Sequence, residues 1–291
     1  MASFVLATDS ACDLHHTYLK EHDVKIVSIN YYINDKAHKD DCWETDTPEG
    51  FYGQIRDGAM PTTAMVTFQD YNDLFEPILA GGKDVLYIAF SSGLSGSYNL
   101  SAMVVAQLAE KYPDRKIFSV DSFCASVGQG LLVNNCIKMR DAGQSIDQVK
   151  DWAEENKWFV NHLVIADDLM YLQRGGRVSR ASAIVGTMIG IKPLIHVDAK
   201  GHLIPFDKVR GRKNGIKKLV DMMGEGPTKG EFETIGISCA DCMPDVEYAL
   251  SLIEQKYSFK EKIISQIGPV IGSHTGTGTL AIFFYGNRKP D

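Results

Sequence analysis

Four serines and two glycines occupy seven consecutive positions, Ser91-Ser92-Gly93-Leu94-Ser95-Gly96-Ser97. Each hydroxyl donates one hydrogen bond, glycine permits close backbone approach, and a following helix N-terminus favours negative charge. Such a loop suits an anionic head group, although serine and glycine are also the commonest residues of an ordinary capped turn. Pro61-Thr62-Thr63 offers two further hydroxyls where proline excludes regular helix. His274 lies in the glycine-rich stretch Gly272-Ser273-His274-Thr275-Gly276, read here as a turn between apolar strands. A histidine satisfied by backbone is an equally good local reading.

Other candidate chemistry is weaker. Cys239-Ala240-Asp241-Cys242 is a lone C-x-x-C without the second ligand pair of a zinc site, so a redox or metal role rests on those two thiols alone. His15 and His16 are adjacent and cannot share a helix face. No P-loop occurs, and no G-x-G-x-x-G follows the first strand. Ser95 is not in a G-x-S-x-G elbow, because Ser97 stands where glycine is required. A serine/histidine acyl hydrolase using Ser95 and His274 is the alternative function to keep. Arg174 with Arg177, and Arg210 with Arg212 and Lys213, form local basic groups in a chain of formal charge −7. They suggest docking to phosphate or to an acidic partner, or solvated surface. The overall acidity argues against a nucleic-acid footprint.

Elements must hold these groups in place. Val85–Phe90 is an apolar run of strand length, and Leu100, Met103, Val104 and Leu108 follow at helical spacing. The serine loop therefore sits where a strand hands over to a helix, the usual ligand position in an open α/β sheet. Phe4–Thr8 reads as a first strand, with Asp13 as N-cap of a short helix carrying Leu14, Tyr18 and Leu19. Val24–Ile33 is a second apolar run. Further helices are expected from Thr47-Pro48-Glu49, over Tyr71–Ile78, from about Gly128 to Gly143, and over 145–158. Beyond Asn161 come strands at 162–166, 234–238 and 280–285, a hairpin around Asp198-Ala199-Lys200-Gly201, and a helix over 246–257. The expectation is an α/β protein of two lobes. Residues 1–160 carry a mainly parallel sheet flanked by helices and the hydroxyl loops; residues 161–291 carry a mixed sheet, the basic clusters and His274.

The 291 residues are 44% hydrophobic and 23% charged, as in a globular protein. The opening MASFVLATDSACD lacks a basic n-region, no stretch approaches a membrane span, and the cysteines are irregularly spaced. A cytoplasmic protein with reduced thiols is expected.

Several separated stretches agree with one family. They are Thr8-Asp9-Ser10-x-x-Asp13, Pro61-Thr62-Thr63, Ser91 through Tyr98, Asp121-Ser122, Gly175-Gly176-Arg177-Val178, Lys192-Pro193, Val209-Arg210, and Gly268-Pro269-Val270 with His274-Thr275-Gly276. In this order the chain resembles the DegV family, fatty-acid-binding proteins that serve as acyl-carrying subunits of bacterial fatty acid kinases. The resemblance implies a non-enzymatic, cofactor-free carrier of a long-chain fatty acid, its carboxylate held by Thr63 and Ser95 with His274 close by. Thr62, Ser92 and Gly96 are secondary head-group candidates. It associates Arg177 and Arg210 with the acyl-phosphate stage and with a kinase partner resembling a dihydroxyacetone kinase, hence with phospholipid metabolism. The chain departs from the family where Thr63 is followed by Ala64-Met65-Val66 in place of Ser-Gln-Pro. Burying a methylene contributes about 0.8 kcal/mol, so a long chain offers on the order of 10 kcal/mol gross. A hydroxyl–carboxylate bond adds only about 1.5–3 kcal/mol.

Overall fold

The computed structural model describes residues 4–167, 169–179, 190–224 and 231–290. The first strand, β1 (Phe4–Asp9), is buried at every position, as befits a strand covered on both faces. Helix α1 (His16–Glu21) returns the chain to β2 (Val24–Val27), which lies parallel to β1. The apolar run then breaks in two, because β3 (Asn30–Ile33) leaves that sheet and pairs antiparallel with β4 (Lys36–Lys39). After α2 (Pro48–Arg56), capped by Thr47, the two-residue β5 (Thr62–Thr63) joins the other side of β3. Helix α3 (Phe68–Ala80) starts from a reciprocal cap between Thr67 and Asp70. The strands β6 (Asp84–Ala89) and β7 (Ile117–Asp121), linked by α4 (Ser97–Lys111), complete a parallel sheet of order β2-β1-β6-β7.

Next come α5 (Val127–Asp141), α6 (Ile146–Asn156), β8 (Val160–Ile165) and α7 (Met170–Arg174). The hairpin of β9 (Ile191–Val197) and β10 (Leu203–Arg210) leads into α8 (Arg212–Met223). The last elements are β11 (Glu231–Cys239), α9 (Met243–Lys256), β12 (Ser258–Gln266), α10 (Pro269–Thr275) and β13 (Leu280–Tyr285). Their sheet, β10-β9-β8-β13-β11-β12, is mixed: β11 and β12 are parallel and the other pairs antiparallel. The fold is the expected α/β one, a parallel sheet flanked by helices beside a mixed sheet.

Helix α5 joins the two large sheets. It packs against β1 and β6 on one side and β8, β11 and β13 on the other, and it is buried nearly all round. Gly130 allows the approach, since a Cβ there would stand 2.9 Å from the Cys12 carbonyl oxygen.

Two readings of the sequence are corrected, and one strand goes beyond them. Asp13 does not cap α1; it closes a 3₁₀ turn (Ser10–Cys12) with φ of 52°, and His15 takes the N-cap. His274 is not in a loop turn but in the last turn of α10, whose one glycine, Gly272, lets Tyr52 pack close. Strand β12 escapes the sequence pattern because Lys260, Glu261 and Lys262 stand together on a sheet edge, a composition that blunts exposed edges.

The hairpin loop 198–202 meshes with the serine loop. Ser91 Oγ donates to the Gly201 carbonyl oxygen at 2.8 Å, and a Cβ on Gly93 would stand 2.6 Å from the Lys200 carbonyl oxygen. Gly201 has φ of +78°, and a Cβ there would strike Ser91 Oγ. Gly201→Ala should therefore lower unfolding stability by roughly 2–4 kcal/mol, from left-handed strain plus overpacking. A lowered urea midpoint at unchanged slope is the expected result, and an unaltered midpoint contradicts this packing.

Candidate functional site

Between the sheets lies a largely apolar cavity of about 270 Å³. The mixed sheet supplies Val164, Ile195, Ala281 and Phe283 from one face, α10 supplies Val270, Ile271, His274 and Thr275, and the serine loop supplies Leu94, Ser95 and Gly96. Thr63, Ala64 and Met65 close one side, and Leu172 and Arg177 another.

The polar groups of that lining are tightly placed. His274 Nε2 lies 2.8 Å from Thr63 Oγ1, so the small sheet and the last turn of α10 meet at this bond. Gly175 makes room for the ring, because a Cβ there would collide with His274 Nδ1. Ser95 Oγ accepts from the Ser97 backbone N–H at 3.2 Å and donates to Ser97 Oγ at 3.0 Å. Two carboxylates behind the loop fix its backbone. Asp9 accepts from the Phe90 N–H and the Tyr87 hydroxyl, both at 2.8 Å, and Asp121 accepts from the Ser92 N–H at 3.1 Å. The first motif therefore organises the strand end and does not face the cavity.

Charge at this end is positive. Arg177 lines the cavity and donates to the Leu94 and Gly175 carbonyl oxygens at 3.1 and 2.5 Å. No carboxylate among the described residues forms an ion pair with it. Burial lowers its pKa from the usual arginine value. Burial first, then the charges of Arg177 and Arg174, push His274 down to about 4. The imidazole is thus neutral at neutral pH.

Of the sequence candidates, Thr63, Ser95, Gly96, His274 and Arg177 share the cavity. Thr62 is exposed beside it, and Ser92 is half-buried with its backbone on Asp121. Arg210 stands exposed at the end of the edge strand β10, apart from the cavity lining. Arg174 and Arg212 serve internal contacts: Arg174 donates to the Pro61 carbonyl oxygen at 2.9 Å, and Arg212 pairs with Asp245 at 2.8 Å. Cys242 caps α9 next to Arg212, Cys239 is buried, and all six cysteines are free thiols. No group of three metal-ligating side chains occurs among the described residues. Sequence reasoning missed Ser126, His162 and Ser238, which also line the cavity. His162 is fully satisfied, by the Ala125 N–H on Nε2 and the Val160 carbonyl on Nδ1.

Comparison with known proteins agrees with this architecture. Residues 3–287 match a family model described as an uncharacterised protein of the DegV family. A DegV domain-containing protein of Clostridium perfringens is 40% identical over 289 residues, covering 99% of both chains. Among solved structures, a DegV lipid-binding protein from Thermotoga maritima superposes with a TM-score of 0.86 at 25% identity, covering 99% of both chains. A fatty acid binding DegV family protein from Streptococcus agalactiae gives 0.84 at 25% identity, covering 100% of both.

The His274 shift has a pH consequence. Its folded pKa lies below the unfolded 6.5, so between those values the unfolded chain holds more protons. The contribution to stability is present above about 6.5 and is lost as pH falls toward 4. An imidazole NMR titration should place the His274 midpoint near 4, moving upward in Arg177→Leu. A midpoint at 6.5 in the unaltered protein contradicts a desolvated ring.

Proposed function

Because the chain belongs to the DegV family, we propose that it is a non-enzymatic carrier of a long-chain fatty acid, which it presents to a partner fatty acid kinase. The observation that carries this reading is an apolar cavity ending in Thr63, Ser95 and His274 beside an arginine without an ion-pair partner among the described residues. The Thermotoga and Streptococcus proteins, described as lipid-binding and fatty acid binding, supply the ligand class.

The chemistry follows from the protonation state. A neutral His274 with its proton on Nε2 donates to Thr63 Oγ1 and directs the threonine proton toward a carboxylate oxygen. Ser95 turns its hydroxyl from Ser97 to the same head group, and the Gly96 backbone lies beside it. Arg177 adds a fixed positive charge that favours the anion and, later, the more negative acyl phosphate. Burial of the acyl chain supplies most of the affinity, and the polar end sets its direction. Met65, which stands within the stretch that departs from the family, leaves its sulfur near Gly96 and lines the same end. Exposed Arg210, apart from the cavity, is a second point for an acidic or phosphate-bearing partner, the kinase being of the dihydroxyacetone-kinase-like kind. The alternative, an acyl hydrolase, needs His274 as base for Ser95, yet His274 Nε2 is bonded to Thr63 and Ser95 to Ser97.

Denaturing extraction of freshly purified protein followed by lipid mass spectrometry should release a fatty acid. Thr63→Val should weaken fatty acid binding by roughly tenfold or more, the worth of one hydroxyl–carboxylate bond. It should also lower acyl-phosphate formation with an added kinase of that type. Absence of any lipid together with no binding on titration rejects the carrier, and ester turnover abolished by Ser95→Ala favours the hydrolase.

A further inference from the structure

At the opposite end of α10 the cavity wall becomes polar again. Ser126 and Ser238 both line it and are only 4% and 0% exposed, with their hydroxyl oxygens 2.8 Å apart. Ser126 is also hydrogen-bonded to the Asp13 carboxyl, whose other oxygen accepts from the Gly268 N–H at 2.9 Å. Gly268 precedes α10 and His274 lies in its last turn, so about 9 Å of helix separates the head-group end from the residue that Asp13 ties to the hydroxyl pair. Ser126 has φ of 54° and ψ of −146°, a region natural to glycine, and the fold holds a serine there.

A plain hydrocarbon chain laid over this pair leaves it bonded only to itself and to Asp13, with the remaining hydrogen-bonding capacity of Ser238 unused. Each hydroxyl has one proton and two lone pairs. If Ser126 donates to Asp13, Ser238 donates to Ser126 and keeps its own lone pairs free. If Asp13 carries the proton, Ser126 turns to Ser238, whose proton is then free. A ligand hydroxyl, being donor and acceptor at once, satisfies either arrangement. An anionic group, which only accepts, satisfies the second arrangement alone, and burying its charge here without a cation is costly; Asp13 and Asp40 both approach Gly268 behind the pair. Burial raises the pKa of both carboxyls, that of Asp40 to about 7.

We propose that Ser126 and Ser238 form a second hydrogen-bonding site in the cavity, selecting acyl chains that bear a hydroxyl group part-way along their length. The proposal rests on the fatty acid reading and names the ligand class within it. At the spacing of an extended chain the hydroxyl falls roughly eight bonds from the carboxylate.

The test uses the whole protein freed of lipid and a fluorescent fatty acid displaced by octadecanoic acid, by hydroxyoctadecanoic acids with the hydroxyl stepped along the chain, and by octadecanedioic acid. A mid-chain hydroxy acid should bind roughly tenfold tighter than octadecanoic acid, and the diacid should bind weaker than either. In Ser238→Ala, and in Ser126→Gly, which suits the left-handed backbone, the ratio of hydroxy acid to octadecanoic acid affinity should fall to about one. Circular dichroism checks that both variants fold. Equal affinities for all hydroxyl positions, or a preference that survives both substitutions, overturns the proposal and leaves the carrier standing. Failure of octadecanoic acid itself to bind overturns the carrier reading and this one with it.

Discussion

A helix of seven residues does not persist in water on its own propensity, so α10 is as well placed as its ends are tied. Its N-terminal end is held by two buried carboxylates, Asp40 accepting from the Val270 N–H at 3.2 Å and Asp13 from the Gly268 N–H at 2.9 Å. Both accept from N–H groups that the start of a helix leaves without an intrahelical partner. Its C-terminal end is held by His274 on Thr63. The carboxylates come from turns that follow β1 and β4, so α10 is suspended from the parallel and the small sheets while it leads into a central strand of the mixed sheet. The long wall of the cavity exists because these bonds exist.

In the proposed carrier, the same arrangement divides the work of recognition. Apolar residues from the mixed sheet, from α10 and from the loops after β2 and β6 supply non-directional attraction. The hydroxyls, the imidazole and Arg177 supply direction, and they cluster where three structural units converge. Neutral histidine beside two arginines is consistent with such a place: the field that attracts an anion also discourages a third cation on the ring.

The residues at strand ends were legible in the sequence, since hydroxyls and glycines after an apolar run mark the ligand edge of an α/β sheet. Thr63, Ser95 and His274 converge although 32 and 179 positions separate neighbouring members in the chain (95 − 63 and 274 − 95), and local pattern alone says nothing about that meeting. What stayed hidden has physical causes. Asp13 looked like a helix cap because a capping aspartate and a buried one have the same neighbours in sequence, and only burial tells them apart. Ser126 and Ser238 sit in apolar surroundings whose pattern reads as core, and their hydroxyls matter because two distant segments bring them together. The helical state of His274 was obscured by glycines that normally argue against helix, but here two of them accept ring-to-backbone contacts, Gly272 against Tyr52 and Gly276 against Tyr171.

Strand β13, the last regular element, lies between β8 and β11 in the interior of the mixed sheet. During synthesis, its two flanking partners leave the ribosome earlier and cannot join each other in the final arrangement until it arrives. Ala281 and Phe283, which form part of the cavity floor, arrive with it. The compartment therefore has no finished floor until β13 is in place, and the capture of a lipid in the proposed carrier waits on that strand.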